Sequence, residues 1–147
     1  MIRAVFDTNV LISYLLSHRP PIATLIDVYV AQEEIVPVTA LELLEELDRV
    51  LRYPKLQRYY TDEQRMHFVA LLMALSEMVE LPERIPRICR DPDDDRFIAC
   101  AVAGDVDVVV SGDEDLLVLN RAGGIQILSA ADFLMYIEAL EREENEE

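Results

Sequence analysis

The sequence predicts an α/β domain, a parallel sheet with helices on both faces, and three observations carry that prediction. Short apolar runs alternate with stretches of helical period along the whole chain, the pattern of parallel strands joined by helical crossovers. The first run, Ile2, Ala4, Val5 and Phe6, is cut off by Asp7-Thr8-Asn9, as a central strand ends in a polar turn. A second, β-branched run, Val106 to Val110, is stopped in the same way by Ser111-Gly112-Asp113. Ligands of open parallel sheets bind just outside the carboxyl ends of the strands, so Asp7 and Asp113 are expected on one rim.

The elements follow in order. A strand over 2–6 leads to a helix over 10–16 for which Asn9 is a natural cap, broken by Arg19-Pro20-Pro21. Ile22, Leu25, Ile26 and Tyr29 resume a helical period to residue 31. A second short strand, 35–38, contains Pro37, which weakens it. Thr39 and Glu42 have capping-box spacing before a helix whose apolar face is Leu43, Leu44, Leu47, Val50 and Leu51. Thr61 and Gln64 repeat that spacing and open a helix to about Met78, followed by a brief strand at 79–81 and a loop marked by Pro82 and Pro86. Asp91 to Asp95 precede a helical run, 96–103, ended by Gly104. After the strand at 106–110 come a short helix at 116–119, a turn at Gly123-Gly124, a last strand at 125–128, and a helix capped by Ser129 and Asp132. No repeat, low-complexity linker or second domain is visible.

Composition narrows the function. The 147 residues are the size of one domain, and a 52 % hydrophobic content can fill its core. No run approaches the roughly 18–20 apolar residues of a membrane span. The start is already strand-like and lacks a signal peptide's apolar region, so a cytoplasmic location is expected. Cys89 and Cys100 have no CxxC spacing and His18 and His67 lie far apart, which argues against a Cys/His zinc site. The cysteines read as small buried hydrophobes. Acids outnumber bases 29 to 13, for a net charge of −16. Charge of that sign repels a polyanion over the molecule as a whole. Part of the excess is the terminal run Glu138, Glu141, Glu143, Glu144, Glu146 and Glu147, whose simplest role is a solvated helix end.

The remaining acids fall where a pocket can form. Asp7 and Asp113 follow strands, with Asp115 two residues further on. Asp91, Asp94 and Asp95 open a helix. Glu46 borders the apolar face of its helix, three residues after Leu43 and four before Val50, while Glu45 lies toward the polar side. Each has a simpler use. Asp94 and Asp95 can complement a helix dipole, Asp113 can shape a turn, Glu46 can reach solvent, and Asp7 can form an Asx-turn. Their co-occurrence at strand and helix ends is harder to dismiss. Crowded carboxylates raise one another's pKa unless a cation compensates them, and all-oxygen ligands favour Mg²⁺ or Mn²⁺ over zinc. Such an ion can polarise a phosphate and activate water, so metal-assisted phosphodiester hydrolysis is the chemistry these residues fit. Arg49, Arg52, Lys55, Arg58 and Arg65, interleaved with Tyr53, Tyr59 and Tyr60, offer a local patch for single-stranded RNA. A second group is Arg84, Arg87, Arg90 and Arg96. Pairing with surface acids is the competing role for both.

Three blocks, VFDTNVLIS, ELDRVLRYPKL and RDPDDDRFIACAVAGDVDVVVSGDEDLL, with the final strand and helix, span essentially the whole chain in a familiar order. The chain resembles PIN-domain ribonucleases, particularly the toxin components of toxin–antitoxin pairs. The resemblance implies a parallel sheet of four to five strands flanked by helices, with residues 1–137 as the nuclease domain and 138–147 as an acidic helix end or tail. It implies a metal-dependent endoribonuclease using Mg²⁺ or Mn²⁺, with Asp7, Glu46, Asp94 and Asp113 catalytic and Asp7, Asp94 and Asp113 on the metal. Asn9, Ser111, Asp91, Asp95 and Asp115 would support the site, and Asp91, Asp94 and Asp95 can exchange roles. Arg49, Arg52, Lys55 and Arg58 would contact RNA. Cleavage would leave a 5′-phosphate and a 3′-hydroxyl. The family also implies a homodimer and a small antitoxin, and an acidic pocket suits a basic partner.

Other classes compete. A non-catalytic PIN-like module binding a basic protein would use the same acids. A receiver domain needs an acid pair after the first strand, where this chain has Asp7 alone, and haloacid-type hydrolases need Asp-x-Asp where it has Asp7-Thr8-Asn9.

Overall fold

The computed structural model describes residues 1–146. Among the described residues six strands, rather than the expected four to five, form one sheet in the order β3-β2-β1-β4-β6-β5. β1 (Ile2–Phe6) lies between β2 (Ile35–Thr39) and β4 (Val108–Val110), parallel to both, with Ile2 opposite Ile35 and Phe6 opposite Val110. β3 (Glu77–Met78) extends one side and β6 (Ile125–Leu128) the other, again parallel. Among the described residues only β5 (Arg121–Ala122) runs antiparallel, closing a hairpin with β6 across Gly123 and Gly124, both at positive φ. The parallel sheet with helices on both sides is as the alternation predicts, with one antiparallel edge added.

Side chains of successive strand residues point to opposite faces, and the core divides accordingly. Ala4, Phe6, Val108 and Val110 face α1 (Thr8–Ser17), α2 (Ile22–Thr24) with its π-helical continuation Leu25–Val30, α3 (Leu41–Leu51), α5 (Asp62–Leu75) and α8 (Ala130–Glu146). Val5, Val38 and Val109 face α6 (Pro92–Ala103) and α7 (Glu114–Leu117), through Phe97, Ile98, Ala101 and Leu116. A short α4 (Pro54–Gln57) links α3 to α5. Gly104 ends α6 against β2, where a Cβ would stand 2.6 Å from Val38 Cγ1, so the close approach excludes larger residues. No helix among the described residues is long and apolar enough to cross a membrane.

Several boundaries differ from the sequence reading for identifiable reasons. Asp7, not Asn9, caps α1: its Oδ1 accepts the Val10 amide at 2.9 Å. Asn9 is an exposed residue of the first turn. Thr39 does not cap α3. It is held in β2 opposite Met78, and Ala40 takes the cap position without a side-chain bond. β3 forms at Glu77–Met78 rather than 79–81, because α5 stops at Leu75 and the chain meets β2 at once. Pro37 is tolerated because β3 pairs only from Val38, which leaves Pro37 a strand neighbour on one side. α6 starts at Pro92, a favoured first helical residue, with Asp91 as cap. α7 starts at Glu114, two residues before the expected 116. The Thr61–Gln64 capping box is present in both directions, at 3.1 and 2.8 Å. The Ser129 hydroxyl accepts the Asp132 amide at 3.1 Å. α8 carries the acidic run through Glu146, and Glu147 lies outside the described residues.

Candidate metal centre

The parallel pairing of β1 with β4 sets two acids side by side. Asp7 continues that ladder, its amide donating to Val110 O at 3.0 Å, and its side chain is 3 % exposed. Its second carboxylate oxygen accepts a short hydrogen bond from the hydroxyl of the fully buried Ser111. Ser111 Oγ in turn accepts the Asp113 amide at 3.0 Å, and Asp113 Oδ1 accepts the Asp115 amide at 2.9 Å. One serine thus ties the strand-end acids together, and Asp113 caps α7. Asp115 contributes its amide to this chain and does not line the cavity.

Three consecutive acids open α6, and helical geometry decides among them. Neighbours on a helix diverge by about 100°, so Asp94 and Asp95 cannot share a direction. Asp94 lines a cavity of about 180 Å³ with Asp7, Glu46, Asp91 and Asp113. Asp95 turns away. Its Oδ1 accepts the amides of Ile88 at 3.0 Å and Cys89 at 2.6 Å, pinning the loop before α6. Asp91 caps the helix on the exposed rim, accepting the Asp93 amide at 3.0 Å. Asn9, although exposed, also lines the cavity.

The electrostatics separate these carboxyls. Burial, the charges of Asp113 and Asp91, and a side-chain hydrogen bond with Asp113 push Asp94 up to about 7, with Asp7 adding to the effect. Among the described residues its Oδ2, like Asp95 Oδ2, is buried without a hydrogen-bond partner, but of the two only Asp94 lines the cavity. Burial also raises Asp7, against the opposing hydrogen bonds from Ser111 and Val10. For Asp95 burial acts upward too, but the Cys89 and Ile88 amides and Arg87 outweigh it and hold the carboxyl below its ordinary value.

Glu46 stands at the border of this cavity and an open groove of about 500 Å³. Its Oε1 accepts the Arg96 guanidinium at 2.8 Å and its Oε2 the Thr8 hydroxyl at 3.3 Å. No sequence pattern marks the Thr8 contact, which spans 38 positions. The RNA-contact candidates lie along or beyond the groove. Arg49 bonds the Tyr53 hydroxyl at 3.2 Å and pairs with Glu46 at 3.9 Å, Arg52 pairs with Asp48 at 3.4 Å, Lys55 is exposed on α4, and Arg58 lies 5.0 Å over the Tyr59 ring. Arg65 folds inward onto Asp48 and leaves the patch. Of the second arginine group, Arg96 alone reaches the cavity acids. Cys89 and Cys100 are buried and unpaired, and burial pushes both thiols up to about 12.

The donor set suits a hard divalent cation. It is all oxygen, carries uncompensated charge, and contains an orphaned buried carboxylate oxygen. The acids face one another without closing into a finished cage: among the described residues no three His, Cys, Asp or Glu side chains converge tightly enough to hold a metal.

A family model described as the PIN domain matches residues 3–115. The chain belongs to the PIN-domain family. That span contains Asp7, Glu46, Asp94 and Asp113, and PIN domains are generally nucleases that use divalent metal ions. An uncharacterised protein of Methanocaldococcus jannaschii is 30 % identical over 119 residues, covering 81 % of this chain and 76 % of its own. The fold is shared with PAE2754 of Pyrobaculum aerophilum, at a TM-score of 0.61 and 14 % identity over 94 % of this chain and 90 % of that one. It is also shared with a chain of VapBC2 of Rickettsia felis, a complex bound to a DNA fragment from its promoter, at 0.60 and 10 % over 86 % and 97 %. At these identities the PIN domain's likeness to the two solved structures is one of fold.

Proposed function

We propose that this PIN domain is a metal-dependent endoribonuclease, the toxin of a toxin–antitoxin pair. The observation that carries the reading is Asp94: a buried carboxylate with an unpartnered oxygen, facing Asp7 and Asp113 across a cavity at the carboxyl ends of β1 and β4. Asp7, Asp94 and Asp113 would hold Mg²⁺ or Mn²⁺, with Asp91 on the rim and Ser111 fixing Asp7. When bound, the ion supplies Lewis-acid polarisation of a phosphodiester and an activated water. Glu46, held at the cavity edge by the Thr8 hydroxyl, would accept a proton from the attacking water. Hydrolysis then leaves a 5′-phosphate and a 3′-hydroxyl. Asp95 acts on this chemistry only through the loop it pins.

Arg49, Arg52, Lys55 and Arg58 would meet RNA beyond the groove, exchanging intramolecular partners for phosphate. A chain of charge −16 suits a basic antitoxin covering the cavity, and the family resemblance adds a homodimer, in the cytoplasm. Residues 1–137 would carry the activity, with 138–147 an acidic appendage. One observation favours a non-catalytic module binding a basic protein: the acids do not close into a finished cage.

Calorimetric titration with Mn²⁺ separates the two readings. Saturable binding that Asp7→Asn and Asp94→Asn each abolish, with RNA cleavage lost in the same variants, is the expected result. Absence of binding, or binding indifferent to both substitutions, refutes the nuclease reading.

A further inference from the structure

Arg96 is the unusual group in the neighbourhood of the cavity. It belongs to α6, two residues beyond Asp94, and its guanidinium bonds Glu46 at 2.8 Å and approaches Asp93 at 3.7 Å. Both contacts use the same nitrogen, Nη2. The side chain is 27 % exposed, and neither Nη1 nor Nε makes a polar contact among the described residues. Arg96 lines the open groove, whereas Glu46 lines both the groove and the acidic cavity. The pair therefore stands at the junction between them. Of the other groove arginines, Arg52 pairs with Asp48, and Arg49 bonds the Tyr53 hydroxyl and meets Glu46 Oε1 only at 3.9 Å, farther than Arg96 at 2.8 Å.

A carboxylate and a phosphodiester are interchangeable partners for a guanidinium fork, since both present two oxygens with shared negative charge. A polyanion approaching this rim meets Asp7, Asp91, Asp93, Asp94 and Asp113 and is repelled unless a cation receives it. We propose that Arg96 is the residue that receives the phosphodiester backbone of a single-stranded nucleic acid at the mouth of the cavity, and that Glu46 occupies its phosphate position in the free protein. The inference rests on the nuclease reading for the identity of the ligand, and adds a substrate contact to it. Binding exchanges one anion for another on the same fork. Glu46, released by Arg96, stays held by the Thr8 hydroxyl at the cavity edge, so arrival of the backbone and freeing of the fourth carboxylate are one event.

The test uses a fluorescently labelled single-stranded RNA with Mn²⁺. Glu46→Gln is the parent, because it stops cleavage under the nuclease reading and removes the nearer of the two internal anions on Arg96, leaving Asp93 at 3.7 Å. Anisotropy is followed between about 50 and 200 mM salt. Glu46→Gln/Arg96→Gln is expected to bind about tenfold more weakly, with a log–log salt slope smaller by about 0.7, the loss of one phosphate contact on a single strand. Glu46→Gln/Arg96→Lys is expected to keep the slope, since its point charge still meets phosphate. In the otherwise unchanged chain, Arg96→Gln raises KM about tenfold. An unaltered slope in a folded Arg96→Gln double variant overturns the inference, as does a parent that binds no RNA. Cleavage by the unchanged chain is measured separately. Its absence refutes the nuclease reading, while the anisotropy series still decides whether Arg96 takes phosphate.

Discussion

Asp94→Asn should stabilise the metal-free protein, and only at neutral to alkaline pH. The Asp94 carboxyl is pushed from an ordinary 3.8 up to about 7 by burial and by Asp113, Asp91 and Asp7. A folded-state pKa above the unfolded one means that ionisation favours the unfolded chain. Below about pH 4 the group is protonated in both states and costs nothing. As pH rises from there to about 7 the folded form must either hold its proton or ionise among other acids, and the penalty grows to its full value. A shift of about 3 units corresponds to about 4 kcal/mol at most. The cavity opens to water, and screening of the neighbouring charges reduces this to about 2 kcal/mol. Asparagine keeps the shape and removes the charge, but gives up a favourable carboxylate in the first turn of α6, worth about 0.5 kcal/mol. The net gain of about 1–2 kcal/mol corresponds to a Tm increase of about 3–8 °C for a domain of this size. Thermal unfolding in chelator at about pH 4 and pH 8 gives the assay. The variant's advantage should appear at the higher pH and vanish at the lower. Mn²⁺ should then raise the Tm of the unchanged chain and leave that of the variant where it was. A variant less stable than its parent at the higher pH, or a difference independent of pH, refutes the electrostatic account of the cavity.

Three further outcomes are expected. Asp7→Asn should lower metal-dependent RNA cleavage by about a hundredfold or more while retaining the fold, since the amide oxygen still accepts the Val10 amide and the amide NH2 can donate to the Ser111 hydroxyl oxygen; circular dichroism and a cleavage assay run in parallel check both halves. Asp95→Ala strands the Ile88 and Cys89 amides and should cost about 2 kcal/mol in denaturant unfolding, with Mn²⁺ affinity within about threefold of the parent, whereas an equal loss of metal binding would place Asp95 on the ion. Phe133→Ala empties a fully buried position under the β1 and β4 face and should cost about 3–5 kcal/mol by the same unfolding measurement, and a loss under about 1 kcal/mol would contradict the packing described.

The rim of the sheet could be read in the sequence because both of its central strands end abruptly. Phe6 to Asp7 and Val110 to Ser111 are changes from fully apolar to polar within one step, and the parallel pairing of those strands turns two sequence boundaries into one place. Glu46 was visible as the acid bordering an apolar helical face. The choice within Asp91, Asp94 and Asp95 was not visible, because it depends on the angle at which α6 lies on the sheet and on amides at Ile88 and Cys89 that claim Asp95. Thr39 illustrates a local signal overruled from a distance: its capping-box spacing is genuine, but the strand at Glu77–Met78 holds it in the sheet. Thr8 and Arg96 meet on Glu46 from elements 38 and 50 residues away, and no periodicity encodes such a meeting.

The strand order has a consequence for how the protein is made. β4 is wedged between β1 and β6, yet it is encoded more than a hundred residues after β1. A nascent chain that has emerged only through α6 already carries Asp7, Glu46 and Asp94, but one edge of β1 is bare and Ser111 and Asp113 have yet to appear. Contacts of such long sequence separation form late because their loop-closure entropy must be met first. The acids therefore come into register only after the central strand slots in, and an interrupted translation product carries most of the cavity's acids without the assembled cavity. The same incomplete sheet shows an unpaired, strongly apolar edge, the feature by which partly folded chains are captured by other chains.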